Sequence, residues 1–404
     1  MKPINPIVLA TPPSGIRRFF DVAAQMDDVV SLGVGEPDFV TPWRIREAAI
    51  YSLEKGHTSY TSNAGLPALR EAIGDYVERL HGVHYSPSDE IIVTVGVSEG
   101  LDLALRTILT PGDEVIVFEP CYVSYVPCVR FAGGQPVSVR TDGSNGFRVP
   151  IDAIADAITP RTKAILLCFP NNPTGATLSG EDVAAIADLA QRHDLYIVSD
   201  EIYDRLTYTG RHCSAAAAPG ARDRTILLNG FSKAYAMTGW RIAYICAPRE
   251  LSEQILKMHQ YTMLCASQMA QQAALEALRY AEADVLDMVA EYDRRRRLFV
   301  RGLNDIGMDC HEPTGAFYAF PSIRRSGLDS ETFAERMLFE ERVAVVPGTA
   351  FGECGEGHVR CSYATSAEQL ELALERMGRF MERARAGRVA SRSEEQGGVG
   401  AATG

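Results

Sequence analysis

Six short, β-rich apolar runs recur between residues 91 and 247: IIVTV (91–95), EVIVFE (114–119), AILLCF (164–169), YIVSD (196–200), ILLNGF (226–231) and IAYICA (242–247). Longer stretches separate them. Parallel strands cannot be joined by a tight hairpin and need a crossover, most often a helix, so the alternation predicts an α/β fold with a mostly parallel sheet. One crossover is explicit: Val183, Ile186, Ala187 and Ala190 recur at helical spacing, with Glu181, Asp182, Asp188 and Arg192 on other faces. Runs that are apolar throughout belong to strands buried on both faces. Such sheets take ligands in the crevice beyond the carboxyl ends of their strands, so the polar residues closing each run are the first candidates for chemistry.

From about residue 250 to 300 the pattern is helical. Beyond it PTGAFYAFPSI (313–323), VAVVPGTAFG (343–352) and HVRCSYAT (358–365) read as short strands between helical segments, an α+β arrangement suited to a second, smaller domain. Arg294–Arg297 is a basic run inside a helical pattern rich in acidic residues, and is expected to be a solvated face. Residues 388–404 are small and polar without periodicity, and are expected to form a disordered tail.

The 404 residues, 46% hydrophobic and 23% charged, suffice for an ordinary globular core. Forty Lys and Arg against 52 Asp and Glu leave a charge of -12, which argues against nucleic acid or an anionic membrane surface as partner. No run approaches the ~18 apolar residues of a membrane span, and the first residues lack a secretory signal pattern. Nine scattered cysteines, never in C-x-x-C spacing, read as the reduced thiols of a cytoplasmic protein and not as a disulfide framework or zinc site.

Asp200 closes the YIVSD run, at the end of a strand expected to be central. An ionised carboxylate there is costly unless a cation or a proton donor faces it, although a helix cap or a loop ion pair would also account for it. Lys233 ends ILLNGFSK, and no other charge follows until Arg241. Among apolar neighbours a lysine amine loses its proton more readily and becomes a nucleophile toward carbonyls, as Schiff-base chemistry requires. An acid that keeps a pyridinium protonated and an amine that holds an aldehyde are what pyridoxal 5'-phosphate needs most. TVGVSEGLDLAL (94–105) reads as strand, glycine turn and amphipathic helix, so backbone N–H groups and the Ser98 hydroxyl would face an anion, with Arg241 supplying a fixed charge. Gly96, Ser98 and Gly100 also spell G-x-S-x-G, the nucleophile elbow of serine hydrolases; such an enzyme would need a late histidine, and His358 and His311 are the candidates.

The motifs NNPTG (171–175), SDEIY (199–203) and SKAYAMTGWRIAY (232–244), with LGVGEPDF (32–39) upstream and VRCSYA (359–364) downstream, resemble those of the class I and II aminotransferases of fold type I. The resemblance covers about residues 16 to 385. It implies an N-terminal segment (1–45) packing with the small domain, a large cofactor-binding domain (46–287) whose mostly parallel sheet is sandwiched by helices, and a small C-terminal α+β domain (288–387). It also implies ping-pong transfer of an amino group between an L-amino acid and a 2-oxo acid on pyridoxal 5'-phosphate, in a cytoplasmic homodimer with a shared active site. Lys233 would hold the cofactor aldehyde and shuttle a proton, Asp200 would hold the pyridinium, and Tyr203 and Asn172 would bond the ring 3-oxygen while Tyr122 stacks on the ring. Val97, Ser98 and Arg241 would bind the phosphate, joined by Tyr60 of the other subunit. Arg360, with Asn172 and the backbone of Gly35, would clamp the substrate α-carboxylate. Dicarboxylate-specific relatives carry a Lys where this chain has Ser98, a departure that bears on any preference for aspartate. A C–S lyase of the same fold uses the same cofactor residues and stays beside the transferase reading, as does the hydrolase from another class.

Overall fold

The computed structural model describes residues 2–16 and 25–387, so the expected tail at 388–404 lies outside the described residues. The strands are β1 (Val30–Ser31), β2 (Ile91–Thr94), β3 (Glu114–Glu119), β4 (Gln135–Arg140), β5 (Thr162–Cys168), β6 (Tyr196–Asp200), β7 (Thr225–Gly230), β8 (Ala243–Cys246), β9 (Tyr318–Ala319), β10 (Val343–Ala344), β11 (Val346–Pro347) and β12 (Val359–Ser362). Seven form one sheet in the order β2-β8-β7-β6-β5-β3-β4, in which β8 alone runs antiparallel to its neighbours. The strand that closes on Asp200 is the central one, as the sequence implied.

Alternation along these strands divides the core. Ile92, Val115, Val117, Leu166, Val198, Leu228 and Ile245 point to one face, where Leu101 and Leu105 of the helix Val97–Ile108 and Ile255 of the helix Arg249–Thr262 cover them. The intervening residues, among them Ile91, Val93, Leu227 and Tyr244 at one end and Ile116, Ile165 and Ile197 at the other, point to the opposite face. There the helix Gly180–Arg192 presents Ile186, Ala187 and Ala190. Each buried aliphatic side chain contributes about 1.5–3 kcal/mol, which is why a sheet with both faces covered tolerates so few polar residues short of its ends.

Two strands escaped the sequence reading, the two-residue β1 and, in the large sheet, β4. β4 is an edge strand whose side chains are mostly part-exposed, and Pro136 interrupts its donor row, so it has neither the apolar run of its neighbours nor the composition of a central strand.

The later residues form two small sheets: the antiparallel β11-β12-β9 and the parallel pair β1-β10, which ties Val30 and Ser31 to Val343 and Ala344. The basic run meets expectation in half: Arg294 and Arg297 are exposed, while the two arginines between them are not. Arg295 and Arg296, on the helix Glu282–Asp305, are 7% and 5% exposed. Arg295 grips both carboxylate oxygens of Asp38 at 2.9 and 2.8 Å, and Arg296 donates to Glu312 at 2.6 Å. Each also pairs on its own helix, Arg295 with Glu291 and Arg296 with Asp293, but the partners that bury them, Asp38 and Glu312, come from beyond it, which a local charge pattern does not reveal.

Candidate active site

Strand register brings the first group together. Ala243 of β8 stands opposite Thr94 of β2 on one side and Gly230 of β7 on the other. Gly96, Lys233 and Arg241, each a few residues beyond that level, therefore emerge on one rim, beside Asp200, which is paired with Cys168 and Leu228. Asp200, Lys233 and Arg241 line a cavity of about 380 Å³. Of the residues singled out from sequence, Gly35, Val97, Ser98, Tyr122, Asn172, Asp200, Tyr203, Lys233, Arg241 and Arg360 all line it. Tyr60 does not: its side chain is 83% exposed on the surface of the chain.

Asp200 is buried, and burial pushes its carboxyl up to about 6, against the opposing pull of a hydrogen bond from the Tyr125 hydroxyl to Oδ2 at 2.8 Å. Its Oδ1 accepts the Ile202 N–H at 3.2 Å. Lys233 is displaced in the opposite sense. Desolvation brings its ammonium down to about 8; the Glu36 carboxylate resists this, and the Arg360 and Arg241 charges reinforce it. The amine lies 5.8 Å from the ring centres of both Tyr203 and Phe317, and donates to the Gly35 carbonyl at 2.6 Å. An amine with a pKa near 8 is partly uncharged at neutral pH, the form in which it attacks carbonyls or accepts protons.

The rim near β2 is built to receive an anion. The helix Val97–Ile108 starts at Gly96, which has no side chain to cap it, so the first N–H groups of the helix have no acceptor from within it. The backbone at Gly96 has φ of +80°, which glycine adopts without strain, and the Arg241 guanidinium lies against its open side. Ser98 and the Arg241 side chain are exposed at the mouth, as ligand-facing groups must be.

On the far side, Arg360 of β12 is almost fully buried. Nη1 donates to Asn172 Oδ1 at 3.0 Å, Nη2 donates to the Gly33 carbonyl, and Nε is buried without a partner. The guanidinium lies over the Tyr318 ring at 4.6 Å. A buried cation with an unused donor is suited to a carboxylate.

Among the cavity residues missed from sequence, two hold others in place. Tyr125 bonds Asp200, and Tyr318 shares a 2.7 Å hydrogen bond with Tyr203 while its hydroxyl fills the space a Cβ on Gly35 would need. Burial raises the pKa of both Tyr203 and Tyr318, so both stay neutral hydroxyls. Neither Tyr125 nor Tyr318 carries a local signal, since each reaches its partner across the fold.

The hydrolase alternative finds no partner for Ser98 among the described residues. His358 is stacked on Phe320, 5.1 Å between ring centres, and lines a different groove together with His311.

Comparison with known proteins agrees with this geometry. The description "Aminotransferase class I and II" matches residues 27–377. The Bacillus subtilis protein YugH is 56% identical over 91% of this chain and 96% of its own length. The aspartate aminotransferase of Pyrococcus abyssi is 46% identical over 91% and 96% of the two chains. Among solved structures, aspartate aminotransferase from Thermus thermophilus with maleate superposes with a TM-score of 0.90 at 43% identity, covering 94% of this chain and all of that one. The names of these relatives favour neither the lyase nor the hydrolase. With matching motifs, fold and relatives over nearly its whole length, the chain belongs to the class I and II aminotransferases, enzymes that pass an amino group between an amino acid and a 2-oxo acid.

Proposed function

We propose that the cavity binds pyridoxal 5'-phosphate and runs ping-pong transamination with Lys233 as the covalent anchor. The observation that carries the reading is the pairing, in one cavity, of a buried amine lowered to about 8 with a buried carboxyl raised to about 6. Each would recover a favourable state from one ligand, the amine by bonding an aldehyde and the carboxylate by meeting a protonated ring nitrogen. The uncapped helix start, the Arg241 guanidinium and the space kept by Gly96 fit the phosphate. When bound, this group supplies an aldehyde that takes the amino group and a cationic ring that draws electron density from Cα.

The side chains then divide the work. Asp200 would keep the ring nitrogen protonated, and Tyr125 holds Asp200. Lys233, as a free neutral amine, would take the Cα proton and return it on the cofactor side. Tyr203 and Asn172 would hold the ring oxygen, and Tyr122 would pack against the ring. Val97, Ser98 and Arg241 would hold the phosphate. Arg360, Asn172 and the Gly35 backbone fix the substrate α-carboxylate, which presents Cα to Lys233.

Borohydride reduction of the cofactor-loaded enzyme followed by peptide mapping tests the assignment. A stable label on Lys233 is expected, and label elsewhere or none at all refutes it.

We further propose a cytoplasmic homodimer in which Tyr60 completes the phosphate site of the second copy. Its support is the exposure of Tyr60 together with Val40, Trp43, Tyr51 and Tyr261. Nine free thiols, and the lack of any described helix long and apolar enough to cross a membrane, accord with that compartment. A fully active monomer in sedimentation would contradict the dimer. The division into an N-terminal segment (1–45), a large domain (46–287) and a small domain (288–387) stands as part of the same proposal, supported by the pairing of β1 with β10.

A further inference from the structure

Glu99 is out of place for a phosphate site. It lies in the first turn of the helix Val97–Ile108, one residue beyond Ser98, where an acidic side chain ordinarily turns back to occupy the free N–H groups of its own helix start. Those are the groups a phosphate would use. In this chain the carboxylate is held away from them: Oε2 accepts the Val95 N–H at 2.5 Å, and Oε1 meets His259 Nδ1 at 2.7 Å. A carboxylate can only accept, so the imidazole donates.

His259 has no other evident task. It comes from the helix Arg249–Thr262, is 0% exposed, and its Nε2 is buried without a hydrogen-bond partner, so the polar function of the ring is directed wholly at Glu99. Burying an imidazole with one nitrogen unsatisfied is costly, and apolar residues would fill the same space without that cost. We infer that His259 is a positioning residue: it latches Glu99 to the strand side of the turn, and so keeps the chain's own carboxylate from competing with the cofactor phosphate. The inference rests on the phosphate site proposed above.

The test compares dissociation constants of pyridoxal 5'-phosphate and of pyridoxal, which has the aldehyde and ring but no phosphate, for the cofactor-free wild type and for H259L, E99Q and E99Q/H259L. In H259L the phosphorylated ligand is expected to weaken about tenfold, the factor that a single hydrogen bond to a charged group supplies, while pyridoxal stays within about twofold. Adding E99Q should restore most of the loss, because an uncharged amide competes poorly with phosphate. A parallel loss of both ligands, or a double variant no tighter than H259L, overturns the latch. Should H259L not fold, H259N carries the test, since its amide nitrogen stands where Nδ1 does: affinity within about threefold of wild type is expected, and a tenfold loss overturns the idea. A wild type that binds pyridoxal as tightly as its phosphate ester would sink the site reading itself, and the latch with it.

Discussion

The Tyr125 hydroxyl donates to Asp200 Oδ2 at 2.8 Å, and this contact, with the Ile202 N–H and the Lys233 charge beside it, opposes the burial that drives the Asp200 carboxyl up to about 6. Removing it as Tyr125→Phe should push the carboxyl higher still. The expected outcome is a fall in kcat of about tenfold, with the acidic limb of the pH–kcat profile displaced upward. An unchanged profile would mean that Tyr125 merely packs.

Asp200 also makes the cofactor-free protein less stable than it could be. Its folded pKa, about 6, lies above the ordinary 3.8, so between those values the folded chain holds more protons than the unfolded one, and stability falls as pH rises. The penalty is complete above about pH 6, and its order of magnitude is ~3 kcal/mol for two pKa units. Cofactor-free Asp200→Asn should therefore resist urea better than wild type near neutral pH, by about 1–3 kcal/mol, and the gain should shrink toward nothing near pH 4. Urea titrations at the two pH values decide it.

For Lys233 the sign is reversed. An amine lowered to about 8 gains its neutral form more than two pH units earlier than an ordinary lysine at 10.5. The rate at which pyridoxal with cyanoborohydride labels Lys233 should rise through pH 8 and then level off, whereas surface lysines keep rising. Mass spectrometry of labelled peptides at a series of pH values separates the two.

Arg360→Lys keeps the charge but loses the planar fork that reaches Asn172, Gly33 and a ligand together. KM for the amino acid is expected to rise about 100-fold, with a smaller effect on kcat. Equal losses in both would point instead to a misplaced Cα.

Far from the chemistry, Asp38→Asn breaks the two-pronged grip of Arg295 and leaves a guanidinium half-satisfied in the core. A loss of about 2 kcal/mol in unfolding free energy is expected, less than for a fully buried pair because Asp38 retains some contact with solvent.

What the sequence made legible follows the range of the interactions. Asp200 and Lys233 could be found because each closes an apolar run, and a sheet puts such ends on one rim. The helix Gly180–Arg192 could be found because its period is local. Tyr125 and Tyr318 could not, since their partners lie 75 and 115 residues away and only the strand order β3, β5, β6 brings Tyr125 within reach of Asp200. Arg295 was misread for the same reason: the motif that holds Asp38 belongs to the other end of the chain.

The reversed direction of β8 has a final consequence. Had that strand joined the sheet pointing the same way as β7, its connection would have climbed back over one face and released Arg241 at the opposite end of the molecule. Turning back at once, the chain brings Lys233 and Arg241 to one cavity from a single uninterrupted bridge, residues 231–242. On the proposed reading the two would hold opposite ends of the ligand, so lengthening that bridge would detune the distance between both grips at the same stroke, and the gap between positions 233 and 241 would work as a gauge cut to one molecule's size.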